Sequence, residues 1–158
     1  MTPKYYVTSP SLLLRAPFSQ GTKWTGLASA GGRRGSLAQS EITAEGLTVV
    51  VPAGSFNDCI KVQTVINGSG YDEDTLLPVG NNENQFVRRS RNMWFAQGVG
   101  LIKVVYNHED GTVTTIELQS YSTTSSSSYL PLDFGNSWTF DWSYSGYTEH
   151  ITETHEIK

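Results

Sequence analysis

Ser137-Trp138-Thr139-Phe140-Asp141-Trp142-Ser143-Tyr144 alternates large aromatic with small polar residues without a break. A period of two places Trp138, Phe140, Trp142 and Tyr144 on one face of an extended strand and the four polar residues on the other. Ser145-Gly146 supplies a turn, and 147–157 returns as a second strand with Ile151 and Ile157 on one face. An isolated two-stranded hairpin is marginal in water, and a bare stripe of four aromatics would be adhesive. The hairpin therefore requires a partner sheet, from the preceding residues or from a neighbouring chain.

Strand signals continue upstream. Residues 101–106 and 113–121 flank Asn107-His108-Glu109-Asp110-Gly111, whose Asp-Gly end marks a hairpin loop. Residues 85–95 read as another strand ending in Trp94-Phe95. Leu47-Thr48-Val49-Val50-Val51 is a β-branched run stopped by Pro52-Ala53-Gly54, and Ile60, Val62, Thr64 and Ile66 then line one face. No segment sustains a period of 3.6. The expectation is an all-β chain with little helix: a curved antiparallel sheet or half-barrel of meander connectivity. A looping excursion is expected from Asn67 to Asp74.

The composition agrees. The 158 residues include 18 Ser, 17 Thr and 18 aromatics, while charged residues are only 16%; Thr, Tyr, Trp and Phe suit a pleated, half-buried surface. A net charge of −4 disfavours nucleic acid as a partner, since Arg88, Arg89 and Arg91 form the one dense basic run and alternate between strand faces. No run approaches the ~20 apolar residues of a spanning helix. Met1 to Tyr6 carries no signal-peptide pattern, so either the chain is cytoplasmic or this segment belongs to a longer one.

Three parts are expected: a β-domain over 1–121, a Ser/Thr linker over 122–128, and a hairpin over 129–158. The hairpin completes the same sheet or is exchanged with a neighbouring chain. An internal echo accompanies this division. Pro17, Gly21, Trp24 and Thr25 recur as Pro131, Gly135, Trp138 and Thr139, a P-x-x-x-G-x-x-W-T pattern that suggests a duplicated half-domain with each copy leading into a strand.

Chemistry-bearing groups are sparse. Cys59 is the single thiol; the preceding Asp58 disfavours a thiolate, and a small buried residue is the expected role. His150 and His155, five apart on a strand, project to opposite faces and cannot share an ion, while His108 sits in a distant hairpin loop. Asp72-Glu73-Asp74 with Asn81, Asn82 and Glu83 reads as an exposed acidic loop, lacking the glycine and terminal glutamate of an EF-hand. Gly98-Val99-Gly100 lies between strands rather than opening a helix. Gly31-Gly32-Arg33-Arg34-Gly35-Ser36 reads as a hairpin loop rather than an anion cradle. No catalytic residue, cofactor or metal site is expected.

Three segments together resemble a bacterial envelope domain family, often described as lipoproteins or TapB-like domains of unknown function. They are Val51-Pro52-Ala53-Gly54-Ser55-Phe56 with Cys59-Ile60-Lys61-Val62, Trp94-Phe95-Ala96-Gln97-Gly98-Val99-Gly100-Leu101-Ile102-Lys103, and Glu117-Leu118-Gln119-Ser120-Tyr121. Gln97 replaces the family's usual proline. Pro131-Leu132-Asp133-Phe134-Gly135-Asn136-Ser137-Trp138-Thr139-Phe140 is similar to the hairpin that opens such domains, here displaced to the end.

The resemblance implies a non-catalytic, secreted or envelope-located β-domain, a binding or structural module with a protein or envelope component as partner and strand-exchanged homo-oligomers as one assembly. An alternative is a carrier of an apolar ligand or lipid, with Trp24, Trp94, Trp138, Phe140 and Trp142 lining a concavity. A third is an enzyme, for which no site is localised.

Overall fold

A computed structural model describes residues 14–30, 33–67, 89–108, 111–124 and 126–158. They form one eight-stranded antiparallel sheet: β1 (Lys23–Ala30), β2 (Arg33–Val51), β3 (Gly54–Asn67), β4 (Arg89–Ala96), β5 (Gly100–Asn107), β6 (Val113–Ser122), β7 (Ser137–Tyr144) and β8 (Ile151–Glu156). Spatial order follows chain order from β1 to β8, and the sheet does not close. None of the described residues is helical. The chain is therefore all-β, with meander connectivity.

Alternation sorts the side chains onto two faces. Register aligns Ile42, Val62, Met93, Val104, Ile116 and Trp142 in one row across β2 to β7. The first five are buried, as are Ile60, Phe95, Ile102, Leu118, Trp138 and Phe140 on the same inner face. Such cross-strand neighbours are the unit from which a sheet draws its stability. The outer face is solvated. There Lys61, Trp94, Lys103 and Glu117 form a row, with the Lys61 ammonium 5.3 Å from the Trp94 ring centre and Lys103 Nζ donating to Glu117 Oε1 at 2.7 Å.

The sheet curls over its inner face. The turn joining β2 to β3 reaches β6, where Ala53 N–H donates to Leu118 O at 2.9 Å although β4 and β5 intervene in the sheet order. Register irregularities in β2 near Ala44 and Leu47, and in β4 at Phe95, accompany the bend; bulges of this kind increase local twist. Asp58 lies in one such stretch at φ 54°, a left-handed conformation that Asp tolerates better than most residues.

β7 pairs with β6 within the chain, from Thr114↔Tyr144 to Ser122↔Ser137. The aromatic stripe thus lands on the inner face, with Trp138 and Phe140 buried and Trp142 and Tyr144 half-buried. The Ser/Thr stretch ahead of it is bound down rather than free. Thr123 Oγ1 donates to Gly98 O at 2.9 Å, Gly98 N–H to Ser128 O at 2.7 Å, and Gln97 Nε2 to Ser127 O at 2.8 Å. Polar residues that cannot fill a core have satisfied the β4–β5 turn instead.

The internal echo is structural as well. Gly21 and Gly135 both take positive φ, at 91° and 87°, and Trp24 and Trp138 are both buried. The hydrogen bonds repeat too: Gly21 N–H donates to Ile42 O at 2.8 Å and Ile42 N–H to Thr22 O at 2.9 Å, matching Gly135 N–H to Ile157 O at 2.9 Å and Ile157 N–H to Asn136 O at 2.9 Å.

Several expectations are corrected or fall elsewhere. Arg33 to Ser36, expected in a hairpin loop, belong to β2, with Ala30↔Arg33 the last pair on that side; Gly31 and Gly32 lie outside the described residues. The return strand of the last hairpin begins at Ile151 rather than Tyr147, because Tyr144 O accepts from Tyr147 N–H and the chain turns there. The acidic loop with Asp72, Glu73, Asp74, Asn81, Asn82 and Glu83, and the segments containing Met1 to Tyr6 and Arg88, also lie outside the described residues.

Candidate functional site

The three motifs that carry the family resemblance meet at one end of the inner face. The Val51-Pro52-Ala53 turn touches β6 through Leu118, and Asp58 O accepts the Tyr129 hydroxyl at 3.0 Å. Val99 O accepts the Trp138 indole N–H at 2.6 Å. Asn136, 2% exposed, ties the returning loop together: its Nδ2 donates to Pro131 O at 2.8 Å while its Oδ1 accepts from Thr124 N–H at 3.0 Å. Gly98 is required there, since a Cβ would sit 2.6 Å from the Ser126 carbonyl oxygen. This end is a cap built from backbone carbonyls and their donors.

Cys59 is part of the cap. It is fully buried and its Sγ donates to Phe56 O at 3.4 Å. Burial pushes the thiol pKa up, a hydrogen bond with the Val49 backbone opposes this, and the Asp58 charge adds to the rise. Tyr129 is shifted upward too, first by burial and then by the charges of Cys59, Asp58 and Glu45. A raised folded-state pKa in an acid stabilises the fold fully below the unfolded value. As pH climbs past that value the unfolded chain loses its proton first, so stability declines until the folded group ionises. Two results are expected: Cys59 labels slowly with a thiol reagent at neutral pH unless denaturant is added, and the urea midpoint falls as pH rises above about 9, less so in Cys59→Ala. Rapid native labelling, or a flat alkaline profile, contradicts this account.

The other end of the inner face carries a polar row. Trp24, Ser40, Thr64, Arg91, Tyr106, Thr114 and Tyr144 align across β1 to β7. Ser40 and Thr64 hydroxyls bond each other at 2.9 Å. His108 is 1% exposed rather than a loop-tip residue; its Nε2 bonds Thr114 Oγ1 at 2.8 Å, its ring stacks on Tyr106 with an interplanar angle of 7°, and its backbone closes the β5–β6 turn on Thr112. Arg91 is half-buried, with Nε shielded from solvent and without a hydrogen bond, and it keeps its exposure through the rest of the side chain.

The residues expected to line a ligand concavity are not all brought together. Trp138 and Phe140 are neighbours in the packed core, Trp142 flanks them, and Trp24 lies at the far edge on β1. Trp94 is on the outer face between two lysine positions. It was separated from the others by parity, since Met93 and Phe95 are the inward residues of β4. His150 and His155 stand apart: His150 Nδ1 contacts Asp141 Oδ2 at 2.7 Å on the outer side, whereas His155 packs edge-on against Phe140, 6.0 Å between ring centres. Among the described residues no three His, Cys, Asp or Glu side chains converge as a metal site would require. An open cleft of about 520 Å³ lies at β1–β3, bordered by Arg15, Lys23, Trp24, Ser40, Glu41 and Gln63, so Trp24 alone of the expected lining residues borders it. Lys23 and Glu41 are 3.6 Å apart there and largely solvated, a pair of little energetic weight.

No family model, no curated protein and no solved structure matches this chain.

Proposed function

We propose that this chain is a non-catalytic β-module of the bacterial cell envelope that binds or scaffolds another envelope component. One observation carries the reading: the inner face is filled by the chain's own side chains, with Ile42, Val62, Phe95, Ile102 and Leu118 all at 0% exposure. A carrier needs an apolar cavity large enough to bury most of a lipid tail, and here the aromatics suggested as its lining pack the core or face outward. The surface left for recognition is therefore the outside of the sheet and its two edges, β1 and β8. The envelope location rests on the resemblance of the VPAGSF, WFAQGVGL and ELQSY segments. Native mass spectrometry of protein purified without detergent tests the reading. The expected mass is that of the bare polypeptide; a stoichiometric lipid adduct turns the assignment to a carrier.

A further inference from the structure

The two hairpins agree in register at every pair the second one has. Ser137↔Glu156, Trp138↔His155, Thr139↔Thr154, Phe140↔Glu153, Asp141↔Thr152 and Trp142↔Ile151 correspond to Lys23↔Glu41, Trp24↔Ser40, Thr25↔Gln39, Gly26↔Ala38, Leu27↔Leu37 and Ala28↔Ser36. β7 is thus a second β1 and β8 a second copy of the first half of β2. The neighbours differ. The far edge of β2 carries β3, with Glu41↔Gln63, Gln39↔Val65 and Leu37↔Asn67, whereas among the described residues the far edge of β8 is the end of the sheet, and all six residues of β8 are exposed.

Which groups that edge offers follows from parity. Ile157 directs both its N–H and its C=O toward β7, so His155, Glu153 and Ile151 do likewise, and Thr152, Thr154 and Glu156 point theirs outward. These are the counterparts of Leu37, Gln39 and Glu41, which bond β3.

We propose that the free edge of β8 is a strand-addition site for an extended antiparallel segment of β3 chemistry. The segment places residues like Val62, Gln63, Thr64, Val65, Ile66 and Asn67 opposite Ile157, Glu156, His155, Thr154, Glu153 and Thr152. Main-chain bonds supply the attraction and alternate side chains the selectivity. On the inner side, a hydroxyl or small apolar residue sits beside the His155 ring, as Thr64 sits beside Ser40. The occupant is a partner strand of β3 chemistry, because β3 is what covers the equivalent edge of β2. β3 of a second copy is already bonded on both sides, and β1, the other free edge, is the equivalent of β7, whose neighbour on that side is β6. Two β8 edges pairing about Thr154 would set Glu153 opposite His155 with no β3-like strand between them; protection of the Thr152, Thr154 and Glu156 amides in the chain alone as its concentration rises would show that arrangement and overturns the proposal. The inference rests on the binding-module reading and names its partner.

The test uses the full chain, labelled with nitrogen-15, and a blocked synthetic peptide with the sequence of residues 60–67. Amide hydrogen exchange at Thr152, Thr154 and Glu156 is expected to slow by about fivefold or more on saturation, as one net hydrogen bond per amide implies. The same peptide N-methylated at Val65 is expected to give no protection. Thr154→Pro, which removes an outward N–H on an edge strand and leaves the bonds to β7, is expected to abolish binding. Equal protection by the reversed-sequence peptide, protection at β1 instead, or none in the folded chain overturns the proposal. If there is no protection and the native mass is that of the bare polypeptide, the edge site falls and the module reading stands; a lipid adduct overturns both.

Discussion

Phe95→Ala is expected to destabilise the chain by about 3–5 kcal/mol, the range for deleting a large aromatic from a packed core. Phe95 is fully buried and pairs with Ile60, itself 1% exposed, at the point where β4 shifts register. A bulged, curled region has less freedom to collapse into the space vacated, because the Ala53–Leu118 bond already ties the β2–β3 turn to β6. With a total stability of about 5–15 kcal/mol for a typical domain, the loss is a large fraction. The melting temperature should drop by about 6–20 °C at this chain length. Phe95→Leu, which keeps most of the volume, should lose far less. Equal melting curves for Phe95→Ala and the parent chain would mean that the inner face is not a close-packed core.

Trp138→Ala is expected to be of similar size, about 3–5 kcal/mol, but for two separable reasons. The ring is 8% exposed and joins the core cluster, and its indole N–H is the donor to Val99 O. Trp138→Phe preserves the first and removes the second, so it isolates the unsatisfied carbonyl at about 1–3 kcal/mol. The two variants should also differ from Phe95→Ala in where they loosen the molecule. The loop 123–136 is held by the same β4–β5 turn, through Gly98 and Gln97. Limited proteolysis of Trp138→Ala should therefore cut first in that loop. First cleavage within β4 or β5 instead would argue against the cap.

The strands were legible where parity was clean. Alternation in 137–144 specified both the strand and its inward residues, because a period of two has one meaning when one face is buried, whereas 101–106 and 113–121 read as strands from the Asp-Gly loop between them. Thr64 and Ile60 followed from the same rule on β3. β1 and the first half of β2 carry no such contrast: Gly26, Ala28 and Ala30 alternate with residues of similar polarity, so their pairing was visible only as an echo around Trp24. His108 was misplaced for a related reason. A histidine in an Asp-Gly hairpin reads as solvated, and only the arrival of Tyr106, Thr114 and Tyr144 around it, from β5, β6 and β7, makes a dry site with a hydrogen-bond partner. Trp94 shows the reverse: its type suggests a lining residue, and its place between the inward Met93 and Phe95 sends it outward.

From sequence alone, the period-two pattern and the turn residues determine an all-β meander and the shared faces of 60–66 and 138–144, since both depend on neighbours within a few residues. The P-x-x-x-G-x-x-W-T echo likewise announces two related hairpins before any contact is known. What tertiary structure decides is which ends meet. That the β2–β3 turn reaches β6, that the serine-rich stretch binds the β4–β5 turn, and that β8 repeats β2 with its outer edge left open all depend on curvature and register summed over several strands. Those sums accumulate from bulges and twist, quantities that no local residue pattern records.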